Sequence, residues 1–352
     1  LKIFKMKQID RRIDNWFLGY TRSVHTKSGS LNFGSRHSSK PLKTGTGLTN
    51  LRAAAQKKPE VMVKIPKRHS KNSKGMKGIR NHADYVSRNG EIALENQDGE
   101  IFHGKRAVKE FLNDWQSHCG IADETRHKEA LNIVLSMPKE TPPDALLQAA
   151  RDFAAEQFQG HQYFLGLHHN SHDPDEPEHP HVHLCVLMRD ERGQRLNPRK
   201  NDLFEWRVRF AEKLRENGVD CAATKRVHRG KTQKPENSTI RAMRERGQSS
   251  KAELQQKLAI SQAILSGKRP EHPFLNQADK TRQKIVAEYK MIARELYMNG
   301  YKTEAKAMSK FAQEVSEKGF TTQAQQEFDK VQIQIRQPEK SPDRSHDNEM
   351  ER

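Results

Sequence analysis

Two imidazoles separated by a single residue, in the run His179-Pro-His-Val-His183, are the part of this chain best suited to chemistry. Alternate side chains of a β-strand share a face, so His181 and His183 would point into one space while Val182 turns into a core. That is half of a metal site. Upstream, Gln162-Tyr-Phe-Leu-Gly-Leu167 reads as a second strand ending on His168-His169, so a third imidazole can arrive from a neighbouring strand. Three neutral nitrogens on rigid strands suit a divalent cation with open coordination positions. His168 is the expected third ligand by its place after the apolar strand. His169, His172 and His179 are the alternatives, with Asn170 and Asp173 beside them.

A cation held in this way can polarise a phosphodiester and orient its phosphorus for in-line attack. The candidate nucleophile is Tyr85, because a phosphotyrosine lies close in energy to the diester it replaces and the cleavage can be reversed. Charge points to the same substrate. Residues 1 to 80 hold 20 Lys and Arg against Asp10, Asp14 and Glu60, in a chain whose net charge is +18. Such a concentration of positive charge favours polyphosphate, since each neutralised phosphate releases counterions. Lys67, Arg68, Lys71, Lys74 and Lys77, in a loop around Gly75 and Gly78, together with Arg80 and Arg88, are the expected DNA contacts.

The elements that must position these groups follow from periodicity and breakers. Val61 to Ile65 is a short strand closed by Pro66, and a helix from Ile79 stops at Asn89-Gly90 with Tyr85 in its last turns. A hairpin follows around Asp98-Gly99, then an amphipathic helix from Lys105 to His118. Ala130 to Met137 is a strand with Ser136 at its end. A Thr141 cap and an early Pro open a helix through Phe158. After the histidine strands, Leu203, Trp206, Phe210 and Leu214 mark a helix stopped by Asn217-Gly218. The expected fold class is α+β, an antiparallel sheet flanked by helices, over residues 59–230. Residues 1–58, rich in Ser, Gly, Thr and Lys, are expected as a basic, mobile arm. Residues 231–352 are expected as a polar linker and a helical appendage with a disordered tail from Gln337. Within the appendage the helical stripes are Leu254, Leu258, Ile264 and Leu265, then Ile285, Tyr289, Ile292 and Leu296.

Composition excludes several classes. Only 33% of residues are hydrophobic and mean hydropathy is −0.99, so part of the chain is not expected to join a packed core. Cys119, Cys185 and Cys221 are widely spaced, which argues against a disulfide framework or a thiolate zinc site. No apolar run is long enough for a bilayer, and no secretory core is seen at the start. The expectation is a soluble cytoplasmic protein.

Three motifs, in order, carry a resemblance to conjugative relaxases, the mobilisation nucleases with a His-hydrophobic-His site. Tyr85-Val-Ser-Arg-Asn-Gly90 is similar to their first motif, which carries the nicking tyrosine, and Val134-Leu-Ser136 to the second, whose serine contacts DNA. His168-His-Asn170 followed by His179-Pro-His-Val-His-Leu-Cys-Val186 resembles the third. Two departures stand out: Asn170 occupies the place of the usual Asp, and Ser171 to Glu178 are inserted. An amide is a weaker acceptor than a carboxylate and cannot take up a proton. The resemblance implies a metal-dependent enzyme, with Mg²⁺ or Mn²⁺, that nicks and rejoins one strand of supercoiled DNA at an origin of transfer through a 5′-phosphotyrosine. It implies auxiliary DNA-processing and secretion coupling proteins as partners, no membrane insertion, and export while attached to DNA as a second location. The competing readings are a rolling-circle initiator or transposase of the same chemistry, a phosphoesterase using activated water, and a non-catalytic nucleic-acid-binding protein with a structural metal.

Overall fold

The computed structural model describes residues 2–19, 23–26, 29–32, 41–66, 74–169, 178–231 and 238–336. In chain order these begin with α1 (Lys2–Leu18), the hairpin β1 (Ser23–Thr26) and β2 (Gly29–Asn32), α2 (Thr46–Ala55) and β3 (Met62–Lys64). Next come α3 (Gly75–Ser87), β4 (Leu94–Asn96), β5 (Ile101–Phe102), α4 (Lys105–Cys119), β6 (Ala130–Ser136) and α5 (Pro143–Gln157). The strands β7 (Tyr163–His168) and β8 (His181–Leu187) lead to α6 (Lys200–Glu216). The remainder is helical: α7 (Ser238–Glu245), α8 (Lys251–Ser266), α9 (Leu275–Met298), α10 (Lys302–Glu317) and α11 (Gln323–Arg336). The chain divides into two compact units, one of Leu1–Arg229 with Tyr289–Phe311, the other of Gly230–Glu288 with Ala312–Arg352.

The first unit is built on a six-stranded sheet in the order β3-β6-β8-β7-β4-β5, with every pairing antiparallel. Its class is α+β. Alternation gives the sheet two different faces. Val63, Leu135, Val182, Ile133 and Leu184 fall on the side covered by α5 and α6, and all are buried. On that side Glu95 of β4 accepts from the Arg151 guanidinium of α5 at 2.7 Å. Leu94, Phe164 and Cys185 lie on the opposite face, under Met76, Ile79 and Val86 of α3 and Phe111 and Trp115 of α4. This second layer leaves the histidine end of the face to the site.

Several elements differ from the expectation at their ends. The helix carrying Tyr85 starts at Gly75, one turn before Ile79, because its first amides find acceptors elsewhere: Met76 N donates to Ala122 O and Lys77 N to Asp123 O. A capping Thr141 is not found, since the N-cap of α5 is Pro142 and no side chain bonds there. The described part of residues 1–58 includes the helices α1 and α2. Ile13 and Phe17 of α1 are fully buried, and the Asp14 carboxylate accepts from Gly45 N at 2.9 Å and Gly47 N at 2.6 Å. One helix thereby caps the next, with a negative charge at its N-terminus.

Later residues complete the first unit. Tyr289, fully buried, donates its hydroxyl to His228 O at 2.9 Å and packs edge-on against Trp16, while Arg12 meets Glu295 at 2.8 Å. In the second unit α8 and α11 pair, and Ile260 rather than Leu258 is buried. Of the expected stripe, Leu254, Leu258 and Leu265 stay exposed while Ile264 is half-buried beside Ile260, so only part of it packs. No described helix is long and apolar enough to cross a membrane.

Candidate active site

Register assembles the site. Ser136 of β6 pairs with His181 of β8, and His181 pairs with His168 of β7. Directly opposed antiparallel residues share a face, so Ser136, His181 and His168 form one row. Two residues along, Val134, His183 and Gly166 form the next row on the same side. Val182 points to the other side and is fully buried. The consequence is a cluster of three buried imidazoles, His168, His181 and His183, each offering a nitrogen within 4.8 Å of the others.

Backbone contacts fix two of the tautomers. His168 Nε2 lies 2.8 Å from Val86 O and His181 Nδ1 lies 3.0 Å from His179 O. A carbonyl only accepts, so each of these nitrogens carries the proton and the other ring nitrogen keeps its lone pair. Outer contacts of this kind orient imidazole ligands at metal sites. The donor set therefore fits a divalent cation bound by neutral imidazoles.

Helix α3 supplies the fourth group. Its apolar stripe Met76, Ile79, Ala83 and Val86 follows helical spacing and is buried on the sheet. Tyr85, beside that stripe, remains 48% exposed, with its ring centroid 5.3 Å from that of His183 and 5.8 Å from that of His168. Two residues that the sequence reading passed over help hold it there. His82, one turn earlier and buried, stacks on Tyr85 at 6.2 Å and meets the His183 ring edge-on at 6.0 Å. Its signal was the three-residue spacing from Tyr85 on one helix face. Gly166 lies where a Cβ would come within 2.6 Å of Val86 Cγ1. An isolated glycine inside a strand is the sequence sign of such a close approach.

The other candidates separate. His169 is exposed and outside the cluster, while His179 lies half-buried with its ring 5.8 Å from His181. Burial, then His181 and Lys64, hold its pKa below the usual histidine range. Asn170, His172 and Asp173 lie outside the described residues, as do Lys67, Arg68 and Lys71. Lys74 is the exposed N-cap of α3, and Lys77 is 3.7 Å from Glu124. Arg80, expected at DNA, is tied to Asp123 at 2.7 Å and to Asn113 and Gln116. Its charge already has an internal counterpart. Arg88 caps α3 in a left-handed conformation, φ 48°.

Comparison with known proteins agrees with this geometry. Residues 85–219 match the relaxase family described as MobA/VirD2-like, nuclease domain. The chain is similar to the T-DNA border endonuclease VirD2 of Rhizobium radiobacter, 28% identical over 182 residues, covering 46% of this chain and 42% of that protein. The VirD2 of Agrobacterium fabrum is also 28% identical over 182 residues, covering 46% of this chain and 39% of its own length. The chain thus spans less than half the length of these curated relatives. A tyrosine opens the matched segment and a histidine triad lies inside it, so the residues that the fold brings together all fall within the part of the chain that is similar to the MobA/VirD2-like relaxase nuclease domain.

Proposed function

We propose that this chain is a metal-dependent relaxase that nicks and rejoins one DNA strand at an origin of transfer. The observation that carries the reading is the Tyr85 ring beside two of three clustered imidazoles, half exposed where a polynucleotide can reach it. His168, His181 and His183 would hold a divalent cation, which would supply Lewis-acid charge for a bound phosphodiester. An all-nitrogen set binds Mn²⁺ more tightly than Mg²⁺. Tyr85 Oη gives up its proton and attacks phosphorus. A bond from that oxygen to phosphorus forms and the bond to the 3′ oxygen breaks. The leaving oxygen takes a proton to become a 3′-hydroxyl, and the 5′ phosphate stays on the tyrosine. Attack by a 3′-hydroxyl reverses these changes. Ser136, in the same row as His181, is assigned to hold DNA.

In this reading residues 59–230 are the nuclease domain, and the VirD2 relatives favour DNA transfer over replication or transposition. Auxiliary DNA-processing and secretion coupling proteins are its proposed partners. The test is incubation of the chain and Mn²⁺ with single-stranded oligonucleotides tiling the DNA around its own gene, followed by denaturing electrophoresis. A covalent conjugate is expected. Tyr85→Phe is expected to bind DNA and form none, and excess chelator is expected to abolish the conjugate while leaving most binding. A normal conjugate yield from Tyr85→Phe would overturn the assignment. Strand scission by the wild type without trapped protein would favour activated water as the nucleophile.

A further inference from the structure

The two histidine rows continue beyond β6 onto β3. Met62 pairs with Ser136 and Lys64 with Val134, so Met62 extends the row of His181 and His168, and Lys64 extends the row of His183. The rows end differently. At β7, His168 is fully buried with Val86 O upon it, and Val86 occupies the space over Gly166. Helix α3 closes that end. At the other, β3 is the edge strand, Met62 is 43% exposed and Lys64 is exposed. Among the described residues the face is thus open across β6 and β3 to a polynucleotide whose phosphate would rest at the imidazoles.

The direction of attack says which part of the strand this is. Tyr85 approaches from α3, which overlies β7. In an in-line displacement the leaving oxygen departs opposite the nucleophile. With α3 closed over His168 and the sheet order running from β8 to β6 and β3, the part of that direction lying along the sheet is inferred to run toward β6 and β3. We propose that Met62 and Lys64 form a subsite for the nucleotides immediately 5′ of the nick, those ending in the released 3′-hydroxyl, a step that rests on the nicking reading above. Strands are spaced about 4.8 Å apart, so β3 lies about 10 Å from β8, within reach of the next nucleotides. The Lys64 ammonium takes a phosphate, and the Met62 thioether offers an adaptable apolar contact for a base. Both residues precede the segment that matches the relaxase family, which starts at residue 85.

The experiment has two arms and uses the full chain. In the first, binding of a fluorescent dT20 is followed against salt, which needs no nicking. Lys64→Gln is expected to reduce the slope of log affinity against log salt by about 0.7, the value for one phosphate contact on a single strand. An unchanged slope would overturn the role of Lys64. In the second, the nick is mapped from the conjugate, and two short oligonucleotides are compared, one ending at its 3′-hydroxyl and one beginning at its 5′ end. Lys64→Gln and Met62→Thr, which keeps strand propensity, are expected to weaken the first several-fold and to leave the second within twofold. The opposite preference would overturn the assigned direction. Absence of any conjugate from the wild type would sink the nicking reading instead, while the dT20 slope still reports on Lys64.

Discussion

At the scale of single residues the site depends on a methyl group that is missing. A Cβ on Gly166 would sit 2.6 Å from Val86 Cγ1, and valine, branched at Cβ, has few rotamers in a helix with which to yield. Gly166→Ala must therefore lift α3 from β7, moving Tyr85 and the Val86 carbonyl that holds His168 Nε2. A misplacement approaching 1 Å can cost about 100-fold in rate, so a loss of at least 10-fold in conjugate formation at saturating DNA is expected, with binding within twofold. Adding Val86→Ala removes the obstructing atom and is expected to restore most of the rate. A single variant as fast as wild type, or a double variant as slow as Gly166→Ala, would show that this contact does not set the tyrosine. The shared face of His181 and His183 was legible because period-two spacing is a property of the strand alone, whereas which histidine joins them depends on the register of β7 against β8. Gly166 and His82 left only generic signals, a glycine in a strand and a helical spacing from Tyr85, because their importance lies in the packing of α3 on the sheet.

At the scale of elements, α3 is the part whose ends matter most. Arg88, Asn89 and Gly90 all have positive φ, 48°, 56° and 100°, and Asn89 N donates to Asp84 O at 2.8 Å to close the helix. Gly90 also approaches α4 so closely that a Cβ would meet Lys105 N at 2.3 Å. Gly90→Ala combines strained backbone with a clash against main chain, and a loss of about 2 kcal/mol or more in urea unfolding is expected. A loss below about 0.5 kcal/mol would mean that the turn gives way without strain. Asn89-Gly90 was readable as a stop because left-handed residues end helices. The helices α1 and α2 were not readable, since a Ser-, Gly- and Lys-rich composition suggests a chain without a core. Their order comes from distant partners: Asp14 caps α2, and Arg12 pairs with Glu295. Likewise Leu254, Leu258 and Leu265 had helical spacing, but spacing alone does not say which face meets α11.

At the scale of the whole molecule, the first unit closes around a histidine that has no part in the proposed chemistry. His228 is 4% exposed, its ring stacked on Phe17 at 5.2 Å and tilted against Trp16 at 5.0 Å, and its carbonyl receives the Tyr289 hydroxyl. Burial, with Lys225 and Arg229 nearby, pushes its pKa down to about 3. The folded chain thus keeps His228 neutral, while the unfolded chain protonates it near the ordinary value of about 6.5. Stability from this group is complete above that value and is lost as pH falls toward 3, at about 1.4 kcal/mol per pH unit. Between pH 6 and 5, before most carboxylates titrate, His228→Gln is expected to unfold with a pH slope shallower than wild type by close to that amount. Its stability at pH 7 is also expected to fall, because an amide does not fill the space of the ring. Parallel slopes for the two proteins, measured by urea unfolding at each pH, would mean that His228 takes up its proton without unfolding the unit. The segment Tyr289–Phe311 would then be a looser closure than its buried Tyr289, Ile292 and Leu296 imply.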